Sequence, residues 1–133
     1  MTVIEAGQTA INKPSAEVFA FLADCNNHKQ LMPAQVINWQ STEVTCSFTI
    51  QGTADLALRM KETIEDALIA LEPDGRKPFD FMLKWVINPA ANGCTVNVIL
   101  EADLNMFLKM VAVKPLENFL KYQVEQLKTV MNG

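Results

Sequence analysis

From Val36 to about Asp103 the apolar residues recur at nearly every second position, and this alternation constrains the chain more than any other feature. Successive side chains of an extended strand point to opposite faces, so a period of two means strands with one apolar and one polar side. Val44, Cys46, Phe48 and Ile50 share one such face, while Thr45, Ser47 and Thr49 occupy the other. Leu56, Leu58 and Met60 oppose Asp55, Arg59 and Lys61 in the same way. Phe79, Phe81, Leu83, Trp85 and Ile87 alternate with Asp80 and Lys84, and Val96, Val98 and Leu100 oppose Thr95, Asn97 and Glu101. Breaks near Thr42, at Pro73-Asp74-Gly75 and over Asn88 to Gly93 have the residues of turns. These joints are too short for a parallel crossover helix, so the pattern predicts hairpin-linked antiparallel strands, apolar on the face turned inward.

The ends of the chain follow a different period. Thr2 to Asn12 is rich in β-branched residues and supplies a first strand, the seventh in all, stopping at Lys13-Pro14. Val18, Phe19, Phe21 and Leu22 are then spaced as on a helix over Ser15 to Leu22, and Asp24 is placed to cap one or two further helical turns before Pro33. From about Met106 to Met131, Leu116, Leu120, Val124, Leu127 and Met131 form an apolar stripe, with Glu117, Lys121, Glu125 and Lys128 on the outer side. Pro115 removes a backbone donor inside this long helix, which predicts a kink or break near Val111 to Lys114. Ahead of it, Met106, Phe107, Leu108, Met110, Val111 and Val113 are more apolar residues than one helical face can absorb. That segment is expected to act as a gate, as a dimer contact or as a surface resting lightly on lipid, unless it is buried beneath loops.

At 133 residues, 50% of them hydrophobic and 20% charged, the chain is expected to make one domain over 1–133. Eleven Lys and Arg against fifteen Asp and Glu give a net charge of -4, so no general attraction draws the chain to nucleic acid or to anionic membranes. Cys25, Cys46 and Cys94 are odd in number, widely spaced and without a CxxC pair, and read as reduced thiols. Met1 to Ala10 lacks the basic and then apolar pattern of a signal peptide, and no apolar run reaches membrane-spanning length. The expected setting is therefore cytoplasmic, without integral membrane association.

The order of strand, two short helices, six hairpin-linked strands and a long last helix resembles the helix-grip fold of START-related and birch-pollen-allergen-like domains. The resemblance covers the whole chain. More specifically, INKPSAEVFAFLADCNNHKQLMP after the first strand and VKPLENFLKYQVEQLK near the end look like the polyketide cyclase/dehydratase-like (SRPBCC) proteins. The resemblance implies an α+β fold, with a strongly bent antiparallel sheet gripping the last helix around an apolar cavity. It implies carriers, receptors and cyclases alike, and so selects no single reaction.

Phe48, Leu58, Met60, Phe81, Leu83, Trp85, Val98 and Leu100 are expected to face such a cavity from the sheet, and Phe107, Met110, Val111 and Phe119 from the helix. Aromatic and Met side chains suit a flexible apolar ligand or lipid, although the same residues would also serve as plain core. For catalysis there is one histidine, His28, read as an exposed helix-end residue or else as an acid or base near the cavity mouth. Tyr122 is read as a surface or partial-core residue, with proton donation as the alternative. Glu62 falls inward, where it could serve as a base, if the alternation from Met60 continues without a bulge, and otherwise is read as a strand-end residue, hydrated or paired with Lys61 or Arg59 neighbours across the sheet. No metal, nucleotide or other cofactor is expected, because His and Cys are too few and scattered for a metal site and no phosphate-binding Gly motif is present. The leading expectation is a hydrophobic-ligand carrier, followed by a cyclase, dehydratase or isomerase, and then by a homodimeric or other protein-interaction module.

Overall fold

A computed structural model describes residues 1–132 apart from Thr53, Arg76 and Pro78. Its elements are β1 (Thr2–Glu5), β2 (Thr9–Ile11), α1 (Ser15–Leu22), a 3-10 helix (Cys25–Leu31), β3 (Val36–Ser41), β4 (Thr45–Ile50), β5 (Ala54–Ile64), β6 (Leu68–Pro73), β7 (Phe81–Ala90), β8 (Gly93–Ala102) and α2 (Met106–Asn132). The strands form one open antiparallel sheet in the order β1, β8, β7, β6, β5, β4, β3, with β2 also paired to β8.

The single first strand expected from composition is thus two segments on the same neighbour. Glu5 pairs with Ile99 and Thr9 with Val96, so β1 and β2 together carry one more residue than the β8 stretch they face. The extra residue is accommodated at Gly7, whose φ of 96° is open to glycine at little cost. Asn97 of β8 fixes this bulge, accepting from the Gly7 N–H at 3.0 Å and donating to Glu5 Oε1 at 2.8 Å.

Further irregularities lie where β3 pairs with β4, between Ile37 and Gln40, and where β5 pairs with β6, between Met60 and Glu62. Bulges bend and twist the strands that carry them. The second one also ends the inward alternation of β5, because Leu58 is buried whereas Glu62 and Ile64 beyond it are exposed. Val44, expected on the inward face, is exposed as well. It lies in the β3–β4 turn, where the Thr42 hydroxyl accepts from the backbone N–H groups of Val44 and Thr45.

The two short helices pack as a unit because the second closes the end of the first. Asp24 accepts from the Asn26 N–H at 2.9 Å to start the 3-10 helix. From within that helix Asn27 donates to Phe21 O at 3.0 Å, and His28 Nε2 bonds Leu22 O at 2.8 Å. Two carbonyls that the end of α1 leaves unpaired are satisfied in this way.

Asn105 caps α2, its side-chain oxygen accepting from the Leu108 N–H at 2.9 Å. The helix then runs without interruption through Pro115, so of the expected kink or break the break does not occur. The Val111 carbonyl, which loses its usual amide partner to the proline, lies on a half-exposed residue where water can serve it. The backbone of α2 packs chiefly against the 3-10 helix, β1, β2 and β8. Across from it, Trp85, Ile69, Leu71, Ile87 and Val96 form the buried floor of the sheet.

Candidate functional site

Because α2 rests on the β1, β2 and β8 side of the sheet, a space remains between its middle turns and the inner faces of β4 to β8. This is a cavity of about 60 Å³, reached by Phe48, Leu58, Phe81, Leu83 and Leu100 from the strands and by Leu116, Phe119, Leu120 and Gln123 from α2. Ile50, Leu56, Leu71 and Phe79 complete the sheet wall, and His28 and Met32 close the end nearest the 3-10 helix. Phe48 is held by stacking on Trp39, with ring centroids 5.4 Å apart, and Phe79 meets Phe81 edge to face at 5.7 Å.

Of the twelve apolar residues that the sequence points toward a cavity, Phe48, Leu58, Phe81, Leu83, Leu100 and Phe119 line it. Trp85 and Val98 are fully buried core residues that do not reach it, and Met60 is a partly buried residue packed against the core. Phe107, Met110 and Val111 lie outside, 69%, 84% and 51% exposed. The helical register explains the difference: the residues of α2 that turn inward follow the Leu116, Leu120, Leu127 stripe, and in the first turns it is Leu108 and Val113 that pack against the core, leaving Phe107, Met110 and Val111 outside.

Among the three residues considered for catalysis, only His28 reaches the cavity. It is buried rather than exposed, and its ring meets Trp85 edge to face with centroids 6.0 Å apart. Burial holds its pKa below the ordinary histidine value, against the opposing influence of its bond to Leu22 O and of the Asp24 charge. The imidazole is therefore neutral near pH 7, with the Nε2 proton donated to the Leu22 carbonyl and Nδ1 left as an acceptor. Glu62 lies on the exposed strand end past the β5 bulge, and Tyr122 is 39% exposed on the outer side of α2. Neither converges on the cavity, so of the three candidates His28 alone borders it.

Gln123 and Cys46 are the other polar lining residues, and neither was singled out from the sequence. Gln123 is almost completely buried, and its Nε2 approaches the Met32 sulfur at 3.8 Å while its Oε1 has no hydrogen-bond partner. Its position was legible: it stands three residues after Leu120 and four before Leu127, a polar residue on the buried stripe of an amphipathic helix. Cys46 hydrogen-bonds with Cys25, and that contact, together with burial, pushes the Cys46 thiol up. It is accordingly an inert thiol at neutral pH. Among the described residues no group of three or more His, Cys, Asp or Glu side chains is arranged to hold a metal ion, and no helix is long and apolar enough to cross a membrane.

No family model matches the chain, and no curated protein sequence does. Its likeness is to solved structures. The Chromobacterium violaceum protein CV1439 has 12% sequence identity and a TM-score of 0.77, over 100% of this chain and 99% of that one. KanY, solved in solution by NMR, has 16% identity and a TM-score of 0.78 over 100% of both chains. Aha1 of Colwellia psychrerythraea, solved in solution as a dimer, has 12% identity and a TM-score of 0.73, over 98% of this chain and 96% of that one. At such identities the likeness establishes the fold, an α+β sheet with a long C-terminal helix consistent with a helix grip, and the function has to be argued from the site.

Proposed function

We propose that the protein binds or carries a small hydrophobic molecule between the sheet and α2, in the manner of the START-related and SRPBCC proteins that its sequence resembles. The observation that carries this reading is the cavity itself, apolar on nearly every side and placed where the last helix crosses the sheet. At about 60 Å³ it is far below the roughly 300–1,000 Å³ of typical ligand pockets, so a ligand requires its walls to part. Several wall residues are suited to that movement: Ile50, Leu56, Phe79, Leu83, Leu116 and Phe119 are only partly buried and have solvent on one side. A ligand entering there removes the apolar wall from water, which favours binding.

Native mass spectrometry of freshly extracted protein, followed by titration with the neutral fluorophore N-phenyl-1-naphthylamine, tests the reading. A retained small molecule, or saturable binding at one site per chain, is expected. No retained mass and no saturation would refute it.

A second reading, self-association, has its own observation in the exposed apolar face of Met106, Phe107, Met110 and Val111. Sedimentation at rising concentration is expected to show a dimer that Met110→Asp dissociates, and a monomer at every concentration would dismiss it. The cyclase or isomerase reading now rests on His28 alone, whose Nε2 proton is already engaged in closing α1.

A further inference from the structure

Among the described residues lining the cavity there is no Lys, Arg, Asp or Glu, and the polar groups are those of His28, Cys46 and Gln123. A thioether sulfur can only accept, so the contact of Gln123 Nε2 with Met32 Sδ orients the amide and leaves the carbonyl oxygen as the free end. That oxygen is buried and has no donor. An unpaired buried acceptor is a standing cost, removed by any partner that brings an O–H. His28 supplies no competing donor, because its Nε2 proton is committed to Leu22 O. An unpaired acceptor, with no cation among the described lining residues, makes a poor site for a carboxylate, which would be stripped of water without compensation, and a good one for a neutral molecule carrying a donor. A water resident beside Gln123 would meet the same need, and a ligand without a donor would displace it at a loss.

We propose that the cavity selects a neutral, predominantly apolar molecule bearing a hydroxyl group that donates to Gln123 Oε1. The inference rests on the carrier reading and narrows it to a ligand class. Three probes of one ring system separate the two: 1-naphthol, naphthalene and 1-naphthoate, each competed against N-phenyl-1-naphthylamine on the purified protein. In the wild-type chain 1-naphthol is expected to bind about tenfold more tightly than naphthalene, with 1-naphthoate weakest. In Gln123→Met, which keeps the length of the side chain and removes the acceptor, the preference for 1-naphthol disappears while naphthalene binds within about twofold of wild type. Should that variant fail to fold, the NMR signals of the Gln123 side-chain amide serve instead, shifting with 1-naphthol and not with naphthalene.

Equal binding of 1-naphthol and naphthalene, a preference retained in Gln123→Met, or tightest binding by 1-naphthoate would overturn the hydroxyl inference and leave the carrier reading intact. Failure of all three probes to displace a fluorophore that itself binds would do the same. Failure of the fluorophore to bind at all would remove both.

Discussion

His28 stands where α1, the 3-10 helix and the sheet meet, and its environment favours the neutral ring. Unfolded, the imidazole titrates near the ordinary histidine value of 6.5, and folded it titrates lower because burial penalises the charged form. Below 6.5 the unfolded chain therefore binds the extra proton, and stability falls as pH drops from 6.5 toward the folded value, with no such contribution above 6.5. The difference in urea midpoint between the wild type and His28→Asn is expected to narrow from pH 7.5 to pH 5, and a constant difference would show that the folded ring titrates normally. Gly93 makes a second residue-scale prediction. Its φ is 144°, and a Cβ there would collide with the Ile11 carbonyl oxygen where β2 crosses the β7–β8 hairpin. Gly93→Ala should lower stability by about 2 kcal/mol or more, seen as a reduced thermal midpoint. The sequence marked this stretch as a turn, but the close approach of β2 depends on partners some eighty positions away and leaves no local signal. The same limit applies to His28. Its polar neighbours Asp24, Asn26, Asn27, Lys29 and Gln30 suggest exposure, whereas the Leu22 carbonyl at the end of α1 and the Trp85 ring hold it inside.

Among the elements, α2 divides as its residues suggest, though without a break. Every fully buried residue of the helix lies from Leu120 onward, at Leu120, Gln123, Val124 and Leu127, and the turns before Pro115 contain none. Local opening is governed by the burial that opposes it, so the amides of Met106 to Lys114 are expected to exchange with deuterium faster than those of Leu116 to Lys128. Uniform protection along the helix would contradict this. Pro115→Ala restores the missing donor to Val111 and should stabilise the protein by about 1–3 kcal/mol, measured by denaturant unfolding. At this scale the sequence was most informative: alternation located the strands of the meander, and the stripe from Leu116 located the packed half of the helix. It failed where a single inserted residue shifts the register, at Gly7 and between Met60 and Glu62, since a bulge changes the facing of every later side chain without changing composition. Glu62 accordingly lies at an exposed strand end, the alternative that the sequence left open, and Phe107, Met110 and Val111 miss the cavity because the inward face of the first turns carries Leu108 and Val113 instead.

For the whole molecule, the architecture and the function stand on different footings. The sheet order and the long helix follow from patterns distributed along the chain, and solved structures at 12% identity share the fold over nearly the full length. The cavity depends on a handful of contacts: α2 settling on β1, β2 and β8, and the 3-10 helix closing one end with His28 and Met32. Six of the twelve residues expected at a cavity do line it, because inward-facing positions of a sheet can be assigned from alternation, while the depth at which each one sits requires the fold. The central claim is that this small apolar space opens to hold a ligand. It is tested most directly by titrating N-phenyl-1-naphthylamine into the wild-type chain and into Leu83→Trp, which adds bulk at a partly exposed wall position, with thermal melts confirming that both are folded. Saturable binding at one site in the wild type, reduced at least about tenfold in Leu83→Trp, is the predicted result; saturable binding of equal strength in both, or none in the wild type, would contradict it.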